Sequence, residues 1–155
     1  MSLLLQIILP TLCIPFYKWI FKLLAQFNFM ERIRTKVNEI YIDQQGILHV
    51  TVLEGAFLDL EDMVATERVF ETLTGNKPIL ALVDARAFHT LTNEAVKFMS
   101  ANFRNKNRIA TAILSEGAAT QLIVNHMTML DKTASPAKTF KEEEEAIAWL
   151  LTFKA

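Results

Sequence analysis

Asp84, Arg86, His89 and Thr92 are the residues whose types and spacing could do chemistry in this chain. An acid and a base two positions apart can pair, or can hold a polar group of a ligand between them. An imidazole three residues on can act as a base. A hydroxyl at the head of a helical pattern can accept phosphate, or can cap the helix by taking up an orphan backbone N–H. Each residue therefore has a structural role that competes with a functional one: Asp84 with Arg86, His89 as a solvated loop residue, Thr92 as an N-cap. No Ser or Cys stands beside His89 in sequence, so a nucleophile–base pair is not suggested, and no catalytic residue is expected.

The remaining motifs are weaker. His126-Met-Thr-Met129 contains soft-metal ligands, but they fall on different sides of one helix and read as core residues. Glu142 to Glu145 fan out around a helix axis and suit the positive end of its dipole, with Thr139 and Glu142 spaced as a capping box. Ser115-Glu-Gly117 could offer free N–H groups to an anion, yet one glycine is far short of a phosphate loop. The single cysteine, Cys13, excludes an internal disulfide and any cysteine-based metal site. Neither a metal nor a cofactor is expected.

The elements that must position these residues alternate along the chain. Lys77-Pro-Ile-Leu-Ala-Leu-Val-Asp84 is a continuous apolar run with punctuation at both ends, which predicts a buried strand of an α/β sheet. Ligands of such sheets sit at the carboxyl ends of the strands, and Asp84 to Thr92 follow directly. Ile40–Asp43 and Ile47–Leu53 flank Gln44-Gln45-Gly46 as a hairpin. Asp59 to Thr74 predicts a helix that Asp59 caps and Gly75 ends. A second helix is expected from Thr92 to Asn102, a strand from Arg108 to Leu114, and a third helix running through Leu122, Ile123, His126, Met127 and Leu130. A short edge strand at Lys138-Thr139-Phe140 and a closing helix bearing Trp149 complete the order β-β-α-β-α-β-α-β-α. The fold class expected is α/β, with a single mixed, mostly parallel sheet and packed helices.

At 155 residues one domain of ordinary size is allowed, taken as residues 30–155 behind an apolar leader, 1–29. The 17 acids and 16 bases nearly cancel, and the two lysines of the leader leave the body mildly acidic. Nucleic acid is therefore not an expected partner, since phosphate neutralisation needs a basic patch and Arg104-Asn-Lys106-Asn-Arg108 reads as a solvated helix end. Pro10 and Pro15 interrupt the leader before it makes a clean span of about 20 residues. From Phe16 to Phe27, Lys18, Lys22 and Gln26 recur every fourth position among aromatic and aliphatic residues, the pattern of an interfacial helix with Lys18, Trp19 and Lys22 at a membrane surface. Two other readings of the leader stay open: Met30 as the true start, and packing of the leader on the body or a partner. A cytoplasmic location is expected, with membrane association through residues 3–29 where the first reading holds.

The hairpin, Ile79-Leu-Ala-Leu-Val-Asp84-Ala-Arg86, Ile109-Ala-Thr-Ala-Ile-Leu114 and the ending Phe140-Lys-Glu-Glu-Glu-Glu-Ala146-Ile-Ala-Trp149-Leu150 together resemble STAS-like domains in their SpoIIAA-like branch, over about residues 38–153. That fold is shared with CRAL-TRIO lipid-binding domains. The resemblance implies a regulatory or protein-interaction domain rather than an enzyme, with an unknown protein partner and a homodimer as a candidate assembly. It also implies, as the alternative, binding of a lipid or other apolar small molecule. In antagonists of this type an Asp-Ser pair before a helix is phosphorylated; here the matching turn is Thr90-Leu-Thr92-Asn-Glu94, which lacks the pair and leaves Thr92 as the candidate acceptor. An enclosed cavity of at least about 300 Å³ would favour the lipid, and an exposed apolar patch over a filled core would favour the protein partner.

Overall fold

A computed structural model describes residues 32–102, 107–130 and 135–154, with the backbone alone at 102, 126, 127, 129 and 130. Among the described residues eight strands and four helices follow in order: β1 (Ile33–Arg34), β2 (Asn38–Ile42), β3 (Ile47–Val52), β4 (Ala56–Leu58), α1 (Leu60–Thr74), β5 (Ile79–Asp84), β6 (His89–Leu91), α2 (Asn93–Asn102), β7 (Arg108–Leu114), α3 (Ala118–Leu130), β8 (Ala137–Phe140) and α4 (Glu143–Leu151). Six strands form one sheet in the order β1-β2-β3-β5-β7-β8, and β4 pairs with β6 in a separate ribbon. The first two pairings of the main sheet are antiparallel and the other three parallel. The fold is the mixed α/β arrangement that the alternation predicts.

Local chemistry sets the boundaries. Gly46 takes φ +76° in the β2–β3 turn, where Asp43 Oδ1 accepts from the N–H groups of Gln45 and Ile47. Asp59 caps α1 in a reciprocal capping box with Asp62, which holds the Asp59 carboxyl below the usual range mainly through the Asp62 N–H. Gly75, at φ +58°, ends that helix in the left-handed conformation a side chain would resist. Glu142 caps α4 without a side-chain bond, so the Thr139–Glu142 capping box expected from spacing is not formed.

Because β3, β5, β7 and β8 succeed one another across the sheet through helical crossovers, right-handedness sends α1, α2 and α3 to one face. The alternation of side chains agrees. Leu80, Leu82, Ala110, Ala112 and Leu114 pack with Ala146 and Leu150 of α4, whereas Leu48 and Val50 pack with Phe70 of α1. Trp149 is half-buried rather than enclosed, lying between Phe140 and Phe153 at the flank of α4.

Two expectations need correction. His89 to Leu91 form a strand rather than a loop, because they ladder with Ala56 to Leu58. Arg108 is not part of a solvated basic cluster: it pairs with Glu67 at 2.5 Å and lies over the Phe70 ring. Burial pushes its guanidinium down from its ordinary value, against the pull of Glu67. Among the described residues no helix is long and apolar enough to cross a membrane. Lys18, Trp19, Lys22, Arg104 and Lys106, and the side chains of His126, Met127 and Met129, lie outside the described residues.

Candidate functional site

The carboxyl end of β5 is held between β3 and β7, where Thr51 lies opposite Asp84 and Leu114 on its other side. Just beyond, Arg86 turns back on Asp84. Its backbone N–H reaches Oδ1 at 3.1 Å, its Nε reaches the same oxygen at 3.0 Å, and an Nη donates to Oδ2 at 2.6 Å. This bidentate grip holds the Asp84 carboxyl below its ordinary range, and it raises Arg86, with smaller contributions from Glu143 and Glu142 at the head of α4. The pair thus consumes most of its own bonding capacity. It is a clasp at the end of a strand.

From the clasp the chain runs into the ribbon. Phe88 donates its N–H to Glu54 and accepts from Gly55 at 2.7 Å, and Thr92 N–H closes the ladder on Leu58. Two faces result. Ala56 and Leu58 are buried on the inner one, while Phe57 is 57% and Phe88 71% exposed on the outer one beside Thr90. His89 is half-buried on the inner side, with Nδ1 2.7 Å from the Ala87 carbonyl. A carbonyl can only accept, so neutral His89 carries its hydrogen on Nδ1 and leaves Nε2 as an acceptor. No hydroxyl or thiol is bonded to His89 among the described residues. Thr92 Oγ1 accepts from Ala95 N–H at 3.2 Å, the geometry of an N-cap for α2.

Behind the ribbon, between the sheet and α1, α2 and α3, lies a cavity of about 160 Å³. Its floor includes Asn38, Val52, Val83, Ala85 and Thr111, its roof Met63, Phe98, Met99 and Val124, and its rim Leu58, His89 and Leu91. Asn38 Oδ1 and Thr111 Oγ1, on residues only 2% and 1% exposed, are buried without a hydrogen-bond partner among the described residues. Of the residues singled out from sequence, Asp84 and Arg86 are brought together, His89 borders the cavity, and Thr92 stands at the start of α2. Sequence reasoning missed Asn38, Thr111, Phe57 and Phe88. A signal existed for one of them: Ala56-Phe57-Leu58 is apolar at three successive positions, which in a strand forces at least one apolar side chain outward. Among the described residues no group of three or more His, Cys, Asp or Glu could hold a metal ion.

Residues 40–154 match the family described as a domain of unknown function, DUF7793, and the chain belongs to that family. It is similar in structure to an uncharacterised protein of the DUF3478 family with a SpoIIAA-like fold from Shewanella loihica PV-4, at a TM-score of 0.54 and 17% identity over 78% of this chain and 91% of that one. A protein of unknown function from Arthrobacter sp. FB24 aligns over 77% of this chain and 97% of that one at 20% identity, but its TM-score of 0.26 carries no argument. No curated protein matches.

Proposed function

We propose that this DUF7793 member acts as a non-enzymatic interaction domain that engages a protein partner through the outer face of the β4–β6 ribbon. The observation that carries this reading is the pair Phe57 and Phe88, two aromatic rings held in water on neighbouring strands whose opposite face is buried. Aromatic side chains left exposed on an ordered scaffold are what protein interfaces are enriched in, because they bury a large area for little conformational entropy. The ribbon stands at the carboxyl ends of the strands, where folds of this class place their contacts. Phosphorylation forms no part of the reading, since Thr92 Oγ1 is used as a cap and the Asp-Ser pair is absent.

The volume behind the ribbon supports the same ranking. At about 160 Å³ it falls below the range of roughly 300 Å³ and upward in which ligand pockets usually lie, which disfavours a chain lipid. A photo-crosslinking amino acid placed at position 57, 88 or 144 of the full chain, in the cells that make it, tests the proposal. The expected result is one and the same adduct from positions 57 and 88, none from exposed position 144, and loss of the position-88 adduct when Phe57→Ser is added. Equal labelling at all three positions, or none at 57 and 88, overturns it.

A further inference from the structure

Asn38 sits at the first position of β2 with its side chain against α1. Its Nδ2 donates to Thr66 Oγ1 at 2.9 Å, and that hydroxyl donates onward to the Asp62 carbonyl at 2.8 Å. With its only hydrogen committed, Thr66 can do nothing but accept from Asn38, which fixes the orientation of the amide. The oxygen left over, Oδ1, is the unpaired atom at the cavity. Buried acceptors are rarely left so, because the lost hydration must be replaced. His89, whose neutral ring leaves Nε2 as an acceptor, borders the same space. Two acceptors call for a donor. An anion is the wrong guest, because Arg108, the cation lining the same cavity, is already taken by Glu67.

We infer that this corner of the cavity, beside Asn38, binds a small neutral aromatic molecule that offers an O–H or N–H hydrogen, of phenol-like chemistry. The volume of the whole space, of which this corner is one part, is close to that of an engineered apolar cavity of about 150 Å³ that takes up benzene, which limits the guest to a single ring. The walls suit a ring as well, since Met63 and Met99 present thioethers, which favour aromatic edges, and Phe98 presents another ring. The ligand's hydroxyl donates to Asn38 Oδ1, while its ring fills the space between Val52, Ala85 and the two methionines. Thr111 is a built-in control. It lies three strands away from Asn38, about 14 Å across the sheet, so one ring cannot reach both. The site does not depend on the partner face, because Phe57 and Phe88 point out of the ribbon and do not line the cavity.

Phenol and toluene, nearly equal in shape but unequal in their hydrogen, test the inference by isotope-edited NMR on the full chain. Phenol should shift the Asn38 and Thr66 resonances saturably and show contacts to the Met63 and Met99 methyls. Toluene should bind at least tenfold more weakly, as expected of a site built around one hydrogen bond. Thr111→Val should leave phenol binding unchanged, Ala85→Leu should abolish it by filling the floor, and Asn38→Leu should erase the preference for phenol over toluene. Should Asn38→Leu fail to fold, the phenol-to-toluene ratio on the unaltered chain still decides. Equal affinities for the two probes, contacts elsewhere in the chain, or no saturable binding of phenol at millimolar concentration each overturn the assignment.

Discussion

On the α4 face of the sheet, Ala110, Ala112 and Ala146 stand at the contact and let the helix settle until Leu114 and Leu150 are nearly free of water. On the opposite face, three helices cover the same strands and leave about 160 Å³ between them, with two buried polar atoms unpaired. One face thus buries its contact residues almost completely, and the other keeps a cavity between the layers. Small residues explain the first, because a helix that meets alanines can approach closely and exclude voids. The second face carries Phe70, Phe98, Met63 and Met99, which hold the helices away from the floor while meeting only part of it. The filled core and the proposed binding site therefore lie on opposite sides of a single sheet.

The largest test of that division is Leu150→Ala, which removes a fully buried side chain from the filled face and should cost about 3–4 kcal/mol by chemical denaturation. Trp149→Ala comes next at about 2 kcal/mol. The indole is half-buried, so it sits below the range of a fully enclosed tryptophan, and a loss above about 4 kcal/mol would show that α4 depends on it more than its exposure suggests. Thr111→Val should change the sign of the effect. It deletes an unpaired buried hydroxyl from the loosely filled face and should gain about 1 kcal/mol, whereas a loss of that size would reveal a partner that this hydroxyl serves.

The smallest effect belongs to the clasp. Asp84 has its pKa lowered by Arg86, so it stabilises the folded chain above the ordinary carboxylate value near pH 4, and the contribution is lost as pH falls through the lower folded value. Asp84→Asn should thus cost under about 1 kcal/mol at pH 7, given the partial exposure of the pair, with the difference from the parent chain vanishing in acid. A difference that persists to pH 2 would mean that the asparagine disturbs the turn itself rather than the charge.

Periodicity and punctuation made the central strands and α1 legible in advance. The runs at Ile47, Ile79 and Arg108 have the length and composition of buried strands, and Asp59 and Gly75 mark the ends of α1 by chemistry that acts within a few residues. The ribbon escaped for the opposite reason. Its strands are three residues each, too short for alternation to register, and they pair in parallel across some thirty residues with no hairpin turn to announce them. The third helix is apolar on more than one side, so its pattern does not decide which side faces the sheet; Val124 is buried there and Leu122 is 70% exposed. A gap between layers cannot be read from a linear pattern at all. It depends on how side-chain volumes from β2, β7, α1 and α3 add up, and Asn38 in sequence looks like no more than the start of a strand.

A parallel ribbon of two three-residue strands cannot hold itself together in water, so β4 and β6 persist only because their inner residues rest on what lies beneath. The ribbon is consequently a place where local opening should cost far less than global unfolding, and Leu58, His89 and Leu91 make it one wall of the cavity. Whatever fills that space raises the free energy of opening, and whatever clamps Phe57 and Phe88 from outside raises it too. By thermodynamic reciprocity, two occupants that each favour the closed ribbon must strengthen one another's binding, and by the same factor in both directions. Amide exchange at Thr92, whose N–H closes the ladder on Leu58, would report that coupling without either occupant being seen.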